Sequence, residues 1–426
     1  MAALFTVAWI GVISRPRLLL LAVSEQPNIP VEFRILSLSL PDFAVLILLA
    51  LSAVRLVLDA AFRDRLVHIS IAIVGRLGGA WWLLLALWMT IGILWAGNQA
   101  VLRFSTLHYV ILLVMAMMTA TMTAESGLRW LLRSLIAGAV VQALIAFLQV
   151  AHNGPLGWWS LGEIERFDYD PLSYYRAPGL SMHPNYLGGY LMIALFAAVL
   201  LAYDRYQRGF RPVIPTVAGG LVLGGIVATL SRSAMLSTAA GLLPLIIALV
   251  RTVGPRVRRV FLLLLIVMMV VAFLWGFVVL RGDFGNLAYR FFLPREFFFD
   301  YSWRVIEQQP ILGTGAGNLM LRIGQNEGVS DLPLLPVHNV YLYIWAELGL
   351  VGLTLFVVAC WRTLRGLLAA QAVGIIWGCC WIAMLVVMLF DNYLWAVHPF
   401  RVLMFWVIGV GWGWCVSAQA ESKPES

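Results

Sequence analysis

Apolar residues run along this chain in long unbroken blocks, not in the alternating pattern of a half-buried strand. Blocks of about 17 to 25 residues, enough for a helix to cross a bilayer, begin near residues 2, 41, 74, 104, 130, 185, 214, 233, 260, 338, 367 and 400. The pattern predicts an all-α, polytopic integral membrane protein with about twelve transmembrane helices. Arg15 and Arg17 interrupt the first block, and no small-residue cleavage site closes it, so it reads as an anchor and not as a removable signal peptide.

Between the blocks, arginines gather in short connections: Arg63 and Arg65; Arg205, Arg208 and Arg211; Arg251, Arg256, Arg258 and Arg259; Arg362 and Arg365. Basic short connections face the cytoplasm. An even number of blocks separates each cluster from the next, so both chain ends fall on that side as well. Two long connections, 151–184 and 281–337, then face outward. Three regions result: residues 1–175, with the first helices and the first long loop; residues 176–352, with most of the unusual polar positions; and residues 353–426, with the last helices and a short cytoplasmic tail.

Composition narrows the class further. Hydrophobic residues make up 62% of the chain and charged residues 12%, against roughly 25% charged in a soluble domain, which excludes a typical soluble enzyme. Lys423 is the one lysine among 29 basic residues, leaving 28 arginines. The net charge of +8 lies in the connections, as membrane orientation requires, and not in a nucleic-acid-binding face. Cys360, Cys379, Cys380 and Cys415 sit inside apolar blocks without zinc or redox spacing, so they read as small core residues.

The outer loop 281–337 carries Arg281, Arg290, Arg295, Arg304 and Arg322. Orientation cannot explain arginines on that side. From Arg295 the chain reads REFFFDYSWRVIEQQPILGTGAGN, and Phe299, Trp303 and Ile306 recur at helical spacing until Pro310 and Gly313, Gly315 and Gly317 stop them. Alone, this stretch fits an interfacial anchor helix. GTGAGN lacks the spacing and the βαβ context of a dinucleotide fingerprint, so its glycines serve a tight backbone turn. Next, His338 and Asn339 open a membrane block, where a helix N-terminus resists imidazole protonation and favours anions. Glu347 lies deeper in that block, at a depth where an ionisable group is a site candidate or the partner of a buried arginine.

Arg176 precedes APGLSMHPNYLGGY, in which His183 and Asn185 stand just before another block, and Arg232 occupies a short outer turn, LSRSAMLS. Each arginine suits either a bound anion or a lipid phosphate reached by snorkelling. Asp168 and Asp170 form a DYD triplet that fits a divalent cation only weakly, since no second carboxylate cluster accompanies it. No metal and no cofactor are expected. His68, His108, His152 and His398 have no evident companions and read as structural.

Taken in order, Arg176, Gly179, His183-Pro184-Asn185, Ser231-Arg232, Arg295, Pro310, Gly313, Gly315, Gly317, His338-Asn339, Glu347-Leu348-Gly349 and Gly352 resemble the O-antigen ligase and O-antigen polymerase superfamily. The resemblance implies a GT-C-like glycosyltransferase in the bacterial inner membrane, with its active site on the periplasmic side. The implied donor is an undecaprenyl-pyrophosphate-linked glycan. The acceptor is the lipid A core in a ligase and another lipid-linked repeat unit in a polymerase, with membrane lipids as surroundings. On this reading Arg232 and Arg295 bind the donor pyrophosphate, Arg176 supports it or the acceptor, and His338 is the general base. Asn339, Glu347, His183 and Asn185 stand behind them. Attack opposite the leaving pyrophosphate inverts the anomeric centre without a metal. Two rivals remain: a transporter or flippase for lipid-linked sugars, and a metal-dependent protein glycosyltransferase.

Overall fold

The computed structural model describes residues 17–25, 29, 33, 35–126, 129–164, 175–252, 297–327 and 334–421. Two short strands, β1 (Arg17–Ala22) and β2 (Ile35–Ser39), pair antiparallel ahead of the first described helix. They are a small exception among described residues that are otherwise helical, in keeping with the all-α expectation. Leu36-Ser37-Leu38-Ser39 alternates apolar and polar positions, the two-residue period of a strand, on a scale shorter than any membrane block.

Helices follow in the order α1 (Leu40–Leu58), α2 (Ala60–Arg76), α3 (Gly79–Ile91), α4 (Gln99–Ser126), α5 (Arg129–His152), α6 (Pro184–Gln207), α7 (Val213–Ala228) and α8 (Arg232–Thr252). After the helix α9 (297–308) come α10 (Leu319–Glu327), α11 (Val340–Ala369), α12 (Ala372–Phe390), the single turn α13 (Tyr393–Ala396) and α14 (His398–Glu421). Among the described residues seven helices are long and apolar enough to cross a membrane, or eight if the pair α2 and α3, bent by 83°, is one span. α7 and the apolar part of α8 are shorter. The expected blocks near residues 2 and 260 lie outside the described residues. The block expected near residue 74 straddles the α2–α3 bend, with its charged neighbours Arg63, Asp64 and Arg65 all in α2.

Contacts divide the bundle into two ends. At one end Arg129 pairs with Asp204 at 2.9 Å, Trp412 Nε1 donates to the Leu77 carbonyl at 3.1 Å, and Cys415 Sγ approaches the Gly366 carbonyl. The connection carrying Arg205, Arg208 and Arg211 and the last turns of α11 lie here. The opposite end holds the α5–α6 loop, the α7–α8 turn, the residues around His338, and the α12–α13 connection. The core between them is built from small residues as well as large ones. α14 packs on α4 through Gly409 and Gly413, where any side chain would meet the Ala116 and Ala120 carbonyls. Such a small-xxx-small seam lets membrane helices approach backbone to backbone.

Candidate active site

The glycines around residue 315 do more than turn the chain. α11 is broken at Gly349, whose φ of 67° and ψ of −176° are not helical. The segment 310–317 crosses α11 at that break. Thr314 N donates to the Ala346 carbonyl at 3.0 Å, Gly315 N to Glu347 at 2.8 Å, and Leu350 N to Pro310 at 2.9 Å. Trp88 Nε1 takes up the Leu348 carbonyl at 2.7 Å. The backbone groups freed by the break are thus satisfied by protein, as a water-poor environment requires. Gly313 has φ 70°, and a Cβ there would overlap the backbone of Glu347 and Gly349, while one on Gly349 would overlap Ile311. Two glycines are therefore necessary where two main chains touch.

α9 runs alongside the N-terminal half of α11: Phe298 stacks on His338 with ring centroids 6.0 Å apart, and Trp303 meets Trp345 edge-on at 5.8 Å. Ser302, Val305 and Ile306 form its buried side, whereas Phe299 and Trp303 stack together on the exposed side. Ile306 thus leaves the stripe expected for it. Two of the unexplained arginines of 281–337 acquire a structural reason, since Arg304 pairs with Glu327 and Arg322 donates to Gln308, tying α9 to α10. Arg281, Arg290 and Arg295 lie outside the described residues, as do Asp168 and Asp170.

His338 sits one residue before the N-cap of α11. Asn339 is that cap: its Oδ1 accepts from Leu342 N at 3.0 Å and its Nδ2 donates to the Leu389 carbonyl at 3.1 Å. Its amide is committed to the backbone on both sides. The segment before His338 is held by Asn392, whose Nδ2 donates to the Pro336 and Val337 carbonyls at 3.3 and 2.9 Å. The neighbouring Asp391 accepts from Asn185 Nδ2 at 2.8 Å, and Asn185 Oδ1 accepts from Arg176 Nη2 at 3.0 Å. Asp391 and Asn392, only 3% and 4% exposed, therefore join the His338 segment to Asn185 and Arg176 through three helices.

His183 caps α6, with Nδ1 accepting from Asn185 N at 3.0 Å. That bond leaves Nε2 as the proton-bearing nitrogen of the neutral ring. His183, Tyr186, Tyr393 and Phe400 form a continuous aromatic ladder. Burial, and then the Asp391 carboxylate, push the Tyr393 phenol well above its ordinary range, so it stays protonated. The turn before His183 is clamped from α5: Gln149 both donates to the Gly179 carbonyl and accepts from Gly179 N at 2.8 Å, and Gln142 accepts from Leu180 N at 3.1 Å. Arg232 is exposed at the first position of α8, beside a tight turn in which Leu230 has φ 50° and Ser231 is buried. Ala177 N donates to the Ala228 carbonyl at 3.2 Å, bringing the Arg176 segment against that turn.

Glu347 is buried below this layer. Its Oε2 accepts from Trp395 Nε1 at 3.3 Å, and the Trp395 carbonyl accepts from Arg401 Nε at 2.7 Å and from its Nη2. One tryptophan thus relays between a buried acid and a buried arginine. His108 and His398 also have the companions that the sequence hid. Their rings stack at 4.7 Å, and His108 Nε2 lies 2.8 Å from Asp42 Oδ1. Asp42, Asp391 and Glu347 are all buried. All three are hydrogen-bonded in the half of the bundle that holds His338.

Among the described residues, then, the structure brings Arg176, His183, Asn185, Arg232, His338 and Asn339 to one end of the bundle. Residues 217–357 match the O-antigen ligase family. The match supports the O-antigen ligase and polymerase superfamily, and with it a multi-pass membrane protein of ligase- or polymerase-like glycosyltransferase type. It spans Arg232, Arg295, His338, Asn339 and Glu347; Arg176, His183, Asn185 and Asp391 fall outside it. No curated protein matches the chain.

Sequence reading missed Asp391, Asn392, Gln142, Gln149 and Arg401. Each carried a signal. Gln142 and Gln149 are seven residues apart on one face of an apolar helix, Asp391-Asn392 closes an apolar block, and Arg401 lies inside one; buried polar groups at such places are there for a partner.

Proposed function

We infer that this protein transfers a glycan from undecaprenyl pyrophosphate to an acceptor hydroxyl on the outer face of the inner membrane, with the lipid A core as acceptor. The observation that carries the reading is the Asp391-Asn392 tie, which links the segment bearing His338 to Asn185 and Arg176. A candidate base and a candidate anion-binding cation belong to one hydrogen-bonded unit.

In the reaction the acceptor oxygen attacks the anomeric carbon. The bond to the pyrophosphate oxygen breaks, its electron pair leaves with the pyrophosphate, and the acceptor proton passes to His338. Arginines suit the leaving group because their forked donors stay charged in a poorly hydrated site. Arg232 and Arg295 take the pyrophosphate, Arg176 supports it, and the attack inverts the anomeric centre with no divalent metal. Asn339 positions His338 by fixing the start of α11, and Glu347 acts through Trp395 and Arg401.

The test is incubation of purified protein with a defined undecaprenyl-pyrophosphate glycan and either lipid A core or a second lipid-linked glycan. Core modified by a single glycan is the expected product. A lengthened lipid-linked glycan would assign a polymerase. Facilitated movement of the donor across vesicles without any product would overturn the transferase reading in favour of a transporter.

A further inference from the structure

A cleft of about 370 Å³ opens at the same end of the bundle, between the α3–α4 connection and the segment from α9 to α10. Its volume is within the usual range for a small-molecule site, about 300 to 1,000 Å³. Trp95, Asn98, Gln309, Asn318, Arg322 and Gln325 line most of it. Asn98 and Asn318 form its floor and are already used on each other: Asn98 N donates to Asn318 Oδ1 at 2.8 Å, and Asn318 Nδ2 returns to the Asn98 carbonyl at 3.3 Å. Asn98 Oδ1 also caps α4. The floor is rigid. Trp95 differs, because its ring is braced by Trp88 at 5.3 Å while its Nε1–H is shielded and finds no acceptor among the described residues.

The chemistry of the lining selects the ligand. No carboxylate lines the cleft, which argues against a cation, and a single arginine, Arg322, is a sparse cationic lining for a phosphate. Amides and an aromatic edge dominate over aliphatic groups, which argues against a lipid tail. The Gln309 and Gln325 amides offer paired donors and acceptors that match neighbouring hydroxyls, and an indole adds an apolar ring surface. A neutral polyhydroxyl ligand satisfies all of these at once.

Position gives the cleft a use. Thr314 lines it and bonds the Ala346 carbonyl, and the six residue steps from Val340 to Ala346 rise about 9 Å along α11. An oligosaccharide reaching from His338 spans that distance, and one sugar ring does not. Resting on the transferase reading above, we propose that this cleft is a subsite for neutral sugar residues remote from the reacting bond, in the glycan of the donor or of the acceptor.

The experiment compares two polyprenyl-pyrophosphate donors, one with a single N-acetylhexosamine and one with a neutral tetrasaccharide, each with a full and a truncated core acceptor. Gln309→Leu, Gln325→Ala and Trp95→Phe are the variants, phenylalanine being chosen because it keeps a ring against Trp88. A rise of about tenfold in KM for the tetrasaccharide donor alone, with kcat unchanged, assigns the cleft to the donor glycan; the same rise for the full core alone assigns it to the acceptor. Equal KM values for long and short substrates in Gln309→Leu and Gln325→Ala would overturn the subsite and leave the transferase standing. Saturation-transfer NMR with the free tetrasaccharide separates the two failures. Wild-type signal that falls in the variants, in a protein without transfer activity, would keep the subsite and overturn the transferase reading. No signal in such a protein would overturn both.

Discussion

The two ends of the bundle hold their polar residues in different ways. At the end opposite His338, Asp204 pairs with Arg129 and Arg208, and Arg55 pairs with Asp59, all with side chains roughly a third or more exposed. Such pairs are individually weak, about 0 to 1 kcal/mol, and are screened by salt. At the His338 end, Gln149, Asn185, Asp391, Asn392 and Glu347 are buried and hydrogen-bonded across helices. Removing one partner there strands another in a poorly hydrated interior, at about 1 to 3 kcal/mol. One end carries charges that need only face water; the other carries a network that fixes geometry. A reacting site belongs at the second.

The most severe way to break that second end is through its backbone. Gly313→Val and Gly349→Val each combine a left-handed φ with a clash against a neighbouring main chain, at roughly 2 to 6 kcal/mol in sum. Folded protein in the membrane, measured by abundance and thermal unfolding in detergent, should fall sharply for both. Wild-type abundance for either variant would remove the crossing as a structural requirement.

A smaller and more selective effect is expected at the α12–α13 connection. Asn392→Ala removes the tie to Pro336 and Val337 without touching His338, and misplacement of a reacting group by about 1 Å costs on the order of 10²-fold in rate. Glycan transfer at matched abundance should fall toward that value while donor binding is retained. Equal loss of donor binding and transfer would show that Asn392 does not act through His338.

The smallest effect lies at the opposite end. Arg129→Ala should change stability by no more than about 1 kcal/mol and leave transfer unchanged. A tenfold loss of transfer would erase the distinction between the ends. Cysteine labelling sharpens the same distinction: single cysteines placed in 281–337 should react with an impermeant reagent from outside, and one at Arg208 only from the cytoplasm. The reverse pattern would invert the protein and its site.

How far the sequence disclosed all this depends on whether a feature is local. Apolar length marked most helices because crossing a bilayer imposes a length on each block separately. The α2–α3 bend was hidden because composition does not report direction. The glycines at 313, 315 and 317 were legible as a backbone device, but their partner Gly349 lies 36 residues beyond Gly313 and only the fold brings the two together. His338, Arg176 and Arg232 stood out as polar residues at the ends of apolar blocks. Asp391 and Asn392 did so too, yet a short polar pair at a helix end also looks like an ordinary loop. Their importance comes from what they bond, Asn185 and the 336–337 backbone, and those contacts are non-local.

Glycan transfer by a His338 variant tests the central claim most directly. His338→Gln keeps a hydrogen-bonding side chain but cannot take a proton at neutral pH, and general-base catalysis typically contributes about 10² to 10⁴ in rate. With a defined undecaprenyl-pyrophosphate glycan and lipid A core, the variant should bind donor normally and lose transfer by that factor, while the wild-type rate is unaffected by EDTA. Transfer that persists in His338→Gln, or a wild-type rate that collapses on chelation, would contradict a metal-independent reaction with His338 as its base.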